Sequence, residues 1–556
     1  MYKKHKRVLN ISLLIILSFL TGFVLNSDKG IKITGQMITE AGNLIGLKFT
    51  NVEKDSMTVL LKGQLRNYRT IRKTTLKNSV VPAISFNPIP VGFKDPVKKS
   101  GITLSNYSKV KMPKNIEDLS FYSIGQLSYL LKNKKVTSQQ LTKLYLSRLK
   151  KYNPLLHAVV TLTKELALKQ AKRADDNFAK GIILSPLQGI PYGVKDLFAT
   201  KNYKTTWGAM PYKNQVINEN AEVVKKLTKA GAVLVAKLTM GALAMGDYWF
   251  GGRTRNPWDT SKGSSGSSAG PASAVSAGLV PFAIGTETLG SIVSPATVNG
   301  VSGLRPTYGR VSRTGAMALS WSMDKIGPIG RNAEDLAIIF NSIYGDDPKD
   351  QTLFDYPFSY SSKIDFSKMK IGYLKSDFEK NYRFKKQDSL SLITLRKLGA
   401  KLIPIELPDI PVRALRIILT AEAGAAFDNL TRSGKDDLLT RQGKYAWPNI
   451  FRASRFIPAA EYINANRIRY QLIQAMYKLM KKVDFYIAPS FKGNNLLLTN
   501  LTGQPTVVVP NGFSKEGTPT SISFIGKLFD EGTIISAAKA FQDATNFHLK
   551  HPKMFK

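Results

Sequence analysis

The stretch GSSGSSAGPASAVSAGLVPFAIGTETLGSIVSPATVNGVSGLR, residues 263–305, decides how this chain is read. It opens on a serine cluster, Ser264-Ser265-Gly266-Ser267-Ser268, and carries a later serine, Ser291, in a second glycine-bearing turn. A flexible Gly/Ser linker would be polar throughout. Here Ala274, Val275, Leu279, Val280, Phe282 and Ile284 mark the intervening residues as buried. Residues 269–278 read as a helix of small residues and 282–284 as a short buried strand. Serines held in tight turns beside a packed core point to an active site. The chain's four histidines, His5, His157, His548 and His551, all lie far from the serines in sequence. A serine hydrolase built here therefore needs a base other than histidine.

Helical patterns alternate with short apolar strands on both sides of this stretch, which argues for an α/β domain. Thr137-Ser138-Gln139-Gln140 is a capping box, followed by Leu141, Leu144, Tyr145 and Leu149 at helical spacing. Residues 221–230 read as a helix, and 233–236, 370–374 and 484–488 as strands. Residues 534–547 read as a terminal helix. This large domain is expected over 116–556. Before it, residues 28–115 are expected to form a helical hairpin and a connector. Thr50-Asn51-Val52-Glu53 is a second capping box opening a helix to about residue 73, with Met57, Leu60, Leu61 and Leu65 on one face. Residues 37–47 read as a shorter helix, and the proline-rich run 81–96 as an extended connector.

Residues 1–27 read as a targeting segment. Lys3, Lys4, His5, Lys6 and Arg7 precede an apolar run over residues 8–25, the pattern of a secretory signal peptide or of an uncleaved membrane anchor. Either way the large domain is expected to be exported, periplasmic or secreted. The formal net charge is +41, with lysines spread over the whole chain. A nucleic-acid binder concentrates such charge in a patch on a recognisable module, so no nucleic-acid partner is expected. The absence of cysteine excludes disulfides, thiol nucleophiles and cysteine-ligated zinc. No metal or cofactor is expected.

Several ordered motifs then agree. Gly189-Ile190-Pro191-Tyr192-Gly193-Val194-Lys195-Asp196, Gly266-Ser267-Ser268-Ala269-Gly270 and Gly285-Thr286-Glu287-Thr288-Leu289-Gly290-Ser291-Ile292 resemble the amidase signature family. So do Ser322-Met323-Asp324-Lys325-Ile326-Gly327-Pro328 and Gly503-Gln504-Pro505, and the likeness spans roughly residues 116–550. The resemblance implies a large mixed central sheet flanked by helices, a Ser–cis-Ser–Lys triad and hydrolysis of a small-molecule or peptide amide. Carried over by residue, Ser291 is the nucleophile, Ser267 the cis-serine and Lys195 the base. The duplicated cluster also offers Ser264. The 24-residue interval from Ser267 to Ser291 matches the family spacing, whereas Ser264 requires an insertion.

Chemistry supports the assignment independently. Serine is a weak nucleophile until something takes its proton, and lysine can do so only when neutral. Neutralising an ordinary lysine at pH 7 costs about 4 to 5 kcal/mol, a cost that burial without a carboxylate partner lowers. Asp196 follows Lys195 directly, but consecutive side chains on a strand diverge. The N–H groups of Thr288, Leu289, Gly290 and Ser291 are the candidate oxyanion donors. The chain departs from the family at four positions, one of them Thr239 where an asparagine is familiar. Val293 stands where an arginine is common, Leu289 where a glycine is common, and Glu287 where an aspartate is common. Val293 removes the expectation of a carboxylate clamp, and Leu289 is expected to narrow the acyl pocket.

Rival readings remain open at this level. Ser268 is central to a G-x-S-x-G elbow that His548 or His551 would have to complete, although a polar loop rather than a strand precedes it. Ser108-Lys109-Val110-Lys111 and Ser367-Lys368-Met369-Lys370 fit S-x-x-K without an accompanying K-T-G. The other two are a catalytically silent binding protein on the same scaffold and a transamidation subunit.

Overall fold

The computed structural model describes residues 32–97 and 99–556. These fall into two units, one ending at Leu76 and the other running from Lys77 to Lys556. The basic and apolar residues 1–27 lie outside the described residues. Among the described residues no helix is long and apolar enough to cross a membrane.

The smaller unit is the expected hairpin, α1 (Gly35–Leu44) and α2 (Asn51–Ile71). The capping box forms as read: Thr50 Oγ accepts from Glu53 N at 3.3 Å, and Glu53 Oε2 accepts from Thr50 N at 2.6 Å. Met57, Leu61 and Leu65 are half-buried, but Leu60 is exposed and does not share their face.

The larger unit starts well before residue 116. The proline-rich run packs as part of it, with Pro88, Pro90 and Val97 buried and residues 101–103 paired in parallel with 359–361. The boundary at 116 therefore moves to 76/77. Proline-rich sequence without helical periodicity reads as a linker even when its rings are buried.

The core of this unit is one eleven-stranded mixed sheet. In chain order its strands are β1 (Val159–Leu162), β2 (Pro191–Lys195), β3 (Val233–Leu238), β4 (Phe282–Glu287), β5 (Ser302–Arg305) and β6 (Lys325–Gly330). They continue as β7 (Lys370–Leu374), β8 (Lys401–Ile405), β9 (Phe485–Pro489), β10 (Thr506–Phe513) and β11 (Pro519–Gly526). The order across the sheet is β8-β7-β9-β11-β10-β5-β6-β4-β2-β3-β1. The neighbours β4, β2 and β3 are parallel, while β6 meets β4 antiparallel. Side chains alternate across the sheet. Tyr192, Val194, Phe282 and Ile284 enter one core cluster, and Val233, Val235 and Ala283 the other. Both faces are covered, which is why these strands read as continuous apolar runs.

Helices α3 (Ala269–Ser276) and α4 (Val293–Asn299) lie in the second cluster and pack on each other, α3 against β4 and α4 against β5, β10 and β11. Small side chains let α3 approach this closely. A Cβ on Gly270 would stand 2.5 Å from Ala158 O and Thr239 N. Both serine turns thus lead into short helices that pack against each other.

Candidate active site

Lys195 ends β2, and its side chain is fully buried. Its Nζ lies 2.8 Å from Ser267 Oγ and 2.8 Å from Thr286 Oγ1. The Gly266–Ser267 peptide is cis. The hydroxyl on Lys195 is thus that of Ser267. Ser264 Oγ instead donates to Ser265 O at 3.1 Å.

Asp196 diverges from Lys195 as the strand geometry requires. It pairs with Lys237 Nζ at 3.0 Å and accepts from Thr206 N at 2.9 Å and from the Thr206 hydroxyl. Two buried lysines therefore sit side by side on β2 and β3 with different company. Lys237 has a carboxylate, whereas Lys195 has only hydroxyls and the Thr286 carbonyl. Burial drives the Lys195 ammonium down to about 7, against the pull of the more distant Asp324 and Glu287 carboxylates.

Ser291 sits in the turn between β4 and α4, and the two serine turns are tied through the backbone. Ser268 N donates to Ser291 O at 3.2 Å. Among the described residues the Ser291 hydroxyl makes no hydrogen bond, and none joins it to Ser267. The backbone N–H groups of Thr288, Leu289, Gly290 and Ser291 likewise have no protein acceptor among the described residues. Gly290 has φ +82°, the left-handed conformation that turns the chain here. A hydroxyl and a run of N–H groups at one turn are thereby left without a protein partner among the described residues.

The turn is braced from beneath by Glu287, which is fully buried at the end of β4. Its Oε2 accepts from Ile292 N and Val293 N, both at 2.9 Å. Its Oε1 accepts from Arg305 Nη1 and Asn500 Nδ2, both at 2.8 Å. Burial by itself would raise this carboxyl, but the Arg305 guanidinium and the N–H donors outweigh it and hold it at about 2. From the other side, Thr288 Oγ1 donates to Asp324 Oδ1 at 2.5 Å, and Asp324 Oδ2 accepts from Leu319 N at 2.8 Å and Ser320 N at 3.0 Å. Burial pushes the Asp324 carboxyl up, and these donors oppose it.

The rival elbow does not assemble. Ser268 Oγ donates to Thr286 O and accepts from Thr286 N, which fastens it to β4. His551 stacks on Phe121, and burial lowers both His548 and His551 to about 4. Leu289 is half-buried and packs against the core, and Val293 is buried in α4. Sequence reasoning missed Thr286, Arg305 and Asn500. Thr286 lies inside the quoted motif, but nothing in sequence tells which hydroxyl will meet the lysine. Asn500 lies 213 residues from the carboxylate it holds. Among the described residues no group of three or more histidine, aspartate or glutamate side chains is placed to hold a metal ion.

Comparison with known proteins gives the family and the fold. The model of the Amidase family matches residues 140–497. The chain is 34% identical over 482 residues to a glutamyl-tRNA(Gln) amidotransferase subunit of Coxiella burnetii, with 78% of this chain and 99% of that protein covered. The native peptide amidase of Stenotrophomonas maltophilia superposes with a TM-score of 0.68 at 28% identity, over 77% of this chain and 98% of that one. An amidase family protein of Bacillus anthracis gives a TM-score of 0.70 at 27% identity, over 79% and 93%. The chain belongs to the Amidase family, and is an enzyme of amide carbon–nitrogen bonds.

Proposed function

We propose that this protein hydrolyses a carboxylic amide to the acid and ammonia or an amine through an acyl-enzyme on Ser291. The observation that carries the reading is Lys195, buried with no carboxylate partner and 2.8 Å from Ser267 Oγ. In the forward step Ser291 Oγ attacks the amide carbon while its proton passes to Ser267, whose own proton passes to Lys195. The carbonyl oxygen becomes an oxyanion in front of the N–H groups of Leu289, Gly290 and Ser291, with Thr288 at the edge of the turn. The proton returns through Ser267 to the leaving nitrogen as the C–N bond breaks. Water then attacks the ester, its proton following the same route, and releases the acid. Glu287 takes no proton in this scheme and holds the turn in place.

The base works only as the free amine. With Lys195 lowered to about 7, kcat/KM is expected to rise with pH through about 7 and to level off above it. Lys195→Arg should be inactive at every pH, because a guanidinium stays charged. Initial rates on an amide panel between pH 5 and 9 check this, and a flat profile sinks it. A fluorophosphonate probe is expected to label Ser291, read by the mass of the modified peptide, while an adduct on Ser268 would overturn the assignment.

A second reading, catalysis as one subunit of an amidotransferase, is favoured by the 34% identity to the Coxiella burnetii protein. It predicts that the chain alone releases little ammonia, whereas the hydrolase reading predicts turnover with water as the only acceptor. Export, periplasmic or secreted, is proposed on the basic and apolar pattern of residues 1–25. Fractionation that leaves the full-length chain in the cytosol would remove it.

A further inference from the structure

A cavity of about 610 Å³ opens at the catalytic end of β4, where Thr286 and Thr288 form part of its wall. Its size is that of a site for a small organic ligand. The opposite wall is made by a segment outside the residues matched by the family model, Asn78 to Ser85. This segment is pinned at both ends. The Asn78 side-chain amide pairs reciprocally with Ala318, its Nδ2 donating to Ala318 O at 2.9 Å and its Oδ1 accepting from Ala318 N at 2.7 Å. At the other end Phe86 packs edge-on against Tyr308, with ring centroids 5.0 Å apart, and the Arg469 guanidinium lies 3.5 Å over the Phe86 ring. Pro88 follows against Gly503, whose φ of +79° would strain any side chain and where a Cβ would stand only 3.1 Å from Pro88 Cβ. Between the pins the chain bridges the mouth, presenting Val81, Pro82, Ala83 and Ile84, of which Val81 and Ile84 are largely exposed.

Most of the charged groups on the cavity wall are engaged within the protein, while the buried Trp321 Nε1 has no hydrogen-bond partner among the described residues. Arg313 is bonded to Trp321 O, Thr352 Oγ1 and the Tyr308 hydroxyl, and lies beside Asp350. Asp324 holds Thr288 and the backbone at Leu319 and Ser320, and Lys325 donates to Met323 O. Glu219 and Lys349 stand exposed to solvent. What the interior offers a ligand is mainly apolar surface, from Leu197, Met317, Leu319 and Ile326, continued outward by Pro82 and Ile84, with the Trp321 N–H as an uncharged donor.

We propose that residues 78–85 form the outer wall of the substrate pocket and select amides whose non-reacting part is an extended, uncharged, apolar chain. The proposal rests on the hydrolase reading for the reaction but not for the binding. An apolar tail reaching the strap exchanges water for the side chains of Pro82 and Ile84, which a short amide cannot do. A charged tail would be desolvated without a partner.

Two measurements separate this proposal from the reaction it serves. The ratio of kcat/KM for octanamide over acetamide is expected to fall about 10-fold or more in Ile84→Asp and in Asn78→Ala, and to be kept in Ile84→Leu. Equilibrium binding of octanamide to Ser291→Ala protein, which cannot turn it over, is expected to weaken by a similar factor when Ile84→Asp is added. Strap-dependent binding with no labelling of Ser291 would retain the subsite and reject the proposed reaction. Octanamide affinity and the octanamide/acetamide ratio both indifferent to Ile84→Asp would overturn the proposal, as would a Ser291→Ala protein that binds no octanamide with the strap intact.

Discussion

Ser291→Ala is expected to lower kcat for amide hydrolysis by about 10⁴-fold or more, and Lys195→Met by a comparable factor. Nucleophile and base act as one unit, so the double variant should be little worse than either single one. Ser267→Ala should cost about 10²- to 10⁴-fold, the range of a lost proton-transfer group. Ser264→Ala, whose hydroxyl only meets the neighbouring carbonyl, should stay near wild type. Rates on one amide at pH 8 check all four. Stability supplies an independent readout. Lys195 is buried without a carboxylate, so an apolar side chain of similar length should leave the melting temperature unchanged or raise it. A Lys195→Met protein that is both active and unstable would make this lysine structural, and Lys237, already paired to Asp196, would then be reconsidered.

The largest loss of stability is expected at Glu287. Glu287→Ala removes the acceptor of two N–H groups behind the nucleophile and strands Arg305 in the core without its counter-ion. Breaking a buried pair from one side costs about 3 to 5 kcal/mol. The variant should therefore unfold at markedly lower urea concentration, and any soluble fraction should label poorly at Ser291. Glu287→Gln keeps the shape and part of the hydrogen bonding and should lie between. The pH dependence follows from the sign of the shift. A carboxyl held at about 2 when folded and near 4.5 when unfolded contributes stability that is present in full above about 4.5 and is lost as the pH falls towards 2. Wild type should thus shed this contribution between those limits, and Glu287→Gln should not. Equal midpoints for wild type and Glu287→Ala would mean that the pair contributes nothing.

Much of the fold was legible because its cues are local. The Thr50 and Thr137 capping boxes need only four residues each, and both form as read. Residues 233–236 and 282–284 are continuous apolar runs, so β3 and β4 were visible, each cut short of its end. The strands missed carry contrary signals. Lys325–Gly330 contains Pro328, which argues against a central strand, yet β6 lies between β5 and β4 with Pro328 opposite Ile284. The run from residue 81 to 96 has neither period, so sequence gives no reason to fold it onto the larger unit, where Pro88 and Pro90 are buried.

The sequence by itself determined the family and singled out the two serine turns and Lys195, because residue type and spacing carry those. The tertiary structure decided which serine of the duplicated cluster meets Lys195, and that Asp196 is spent on Lys237. It also decided that Glu287 is anchored by Arg305 and Asn500 from distant strands and helices, and that residues 78–85 wall the cavity. The physical reason is common to these cases. A hydroxyl, a carboxylate or an apolar strap acquires its role from what lies within about 3 to 4 Å in space, and sequence encodes that distance only for neighbours along the chain.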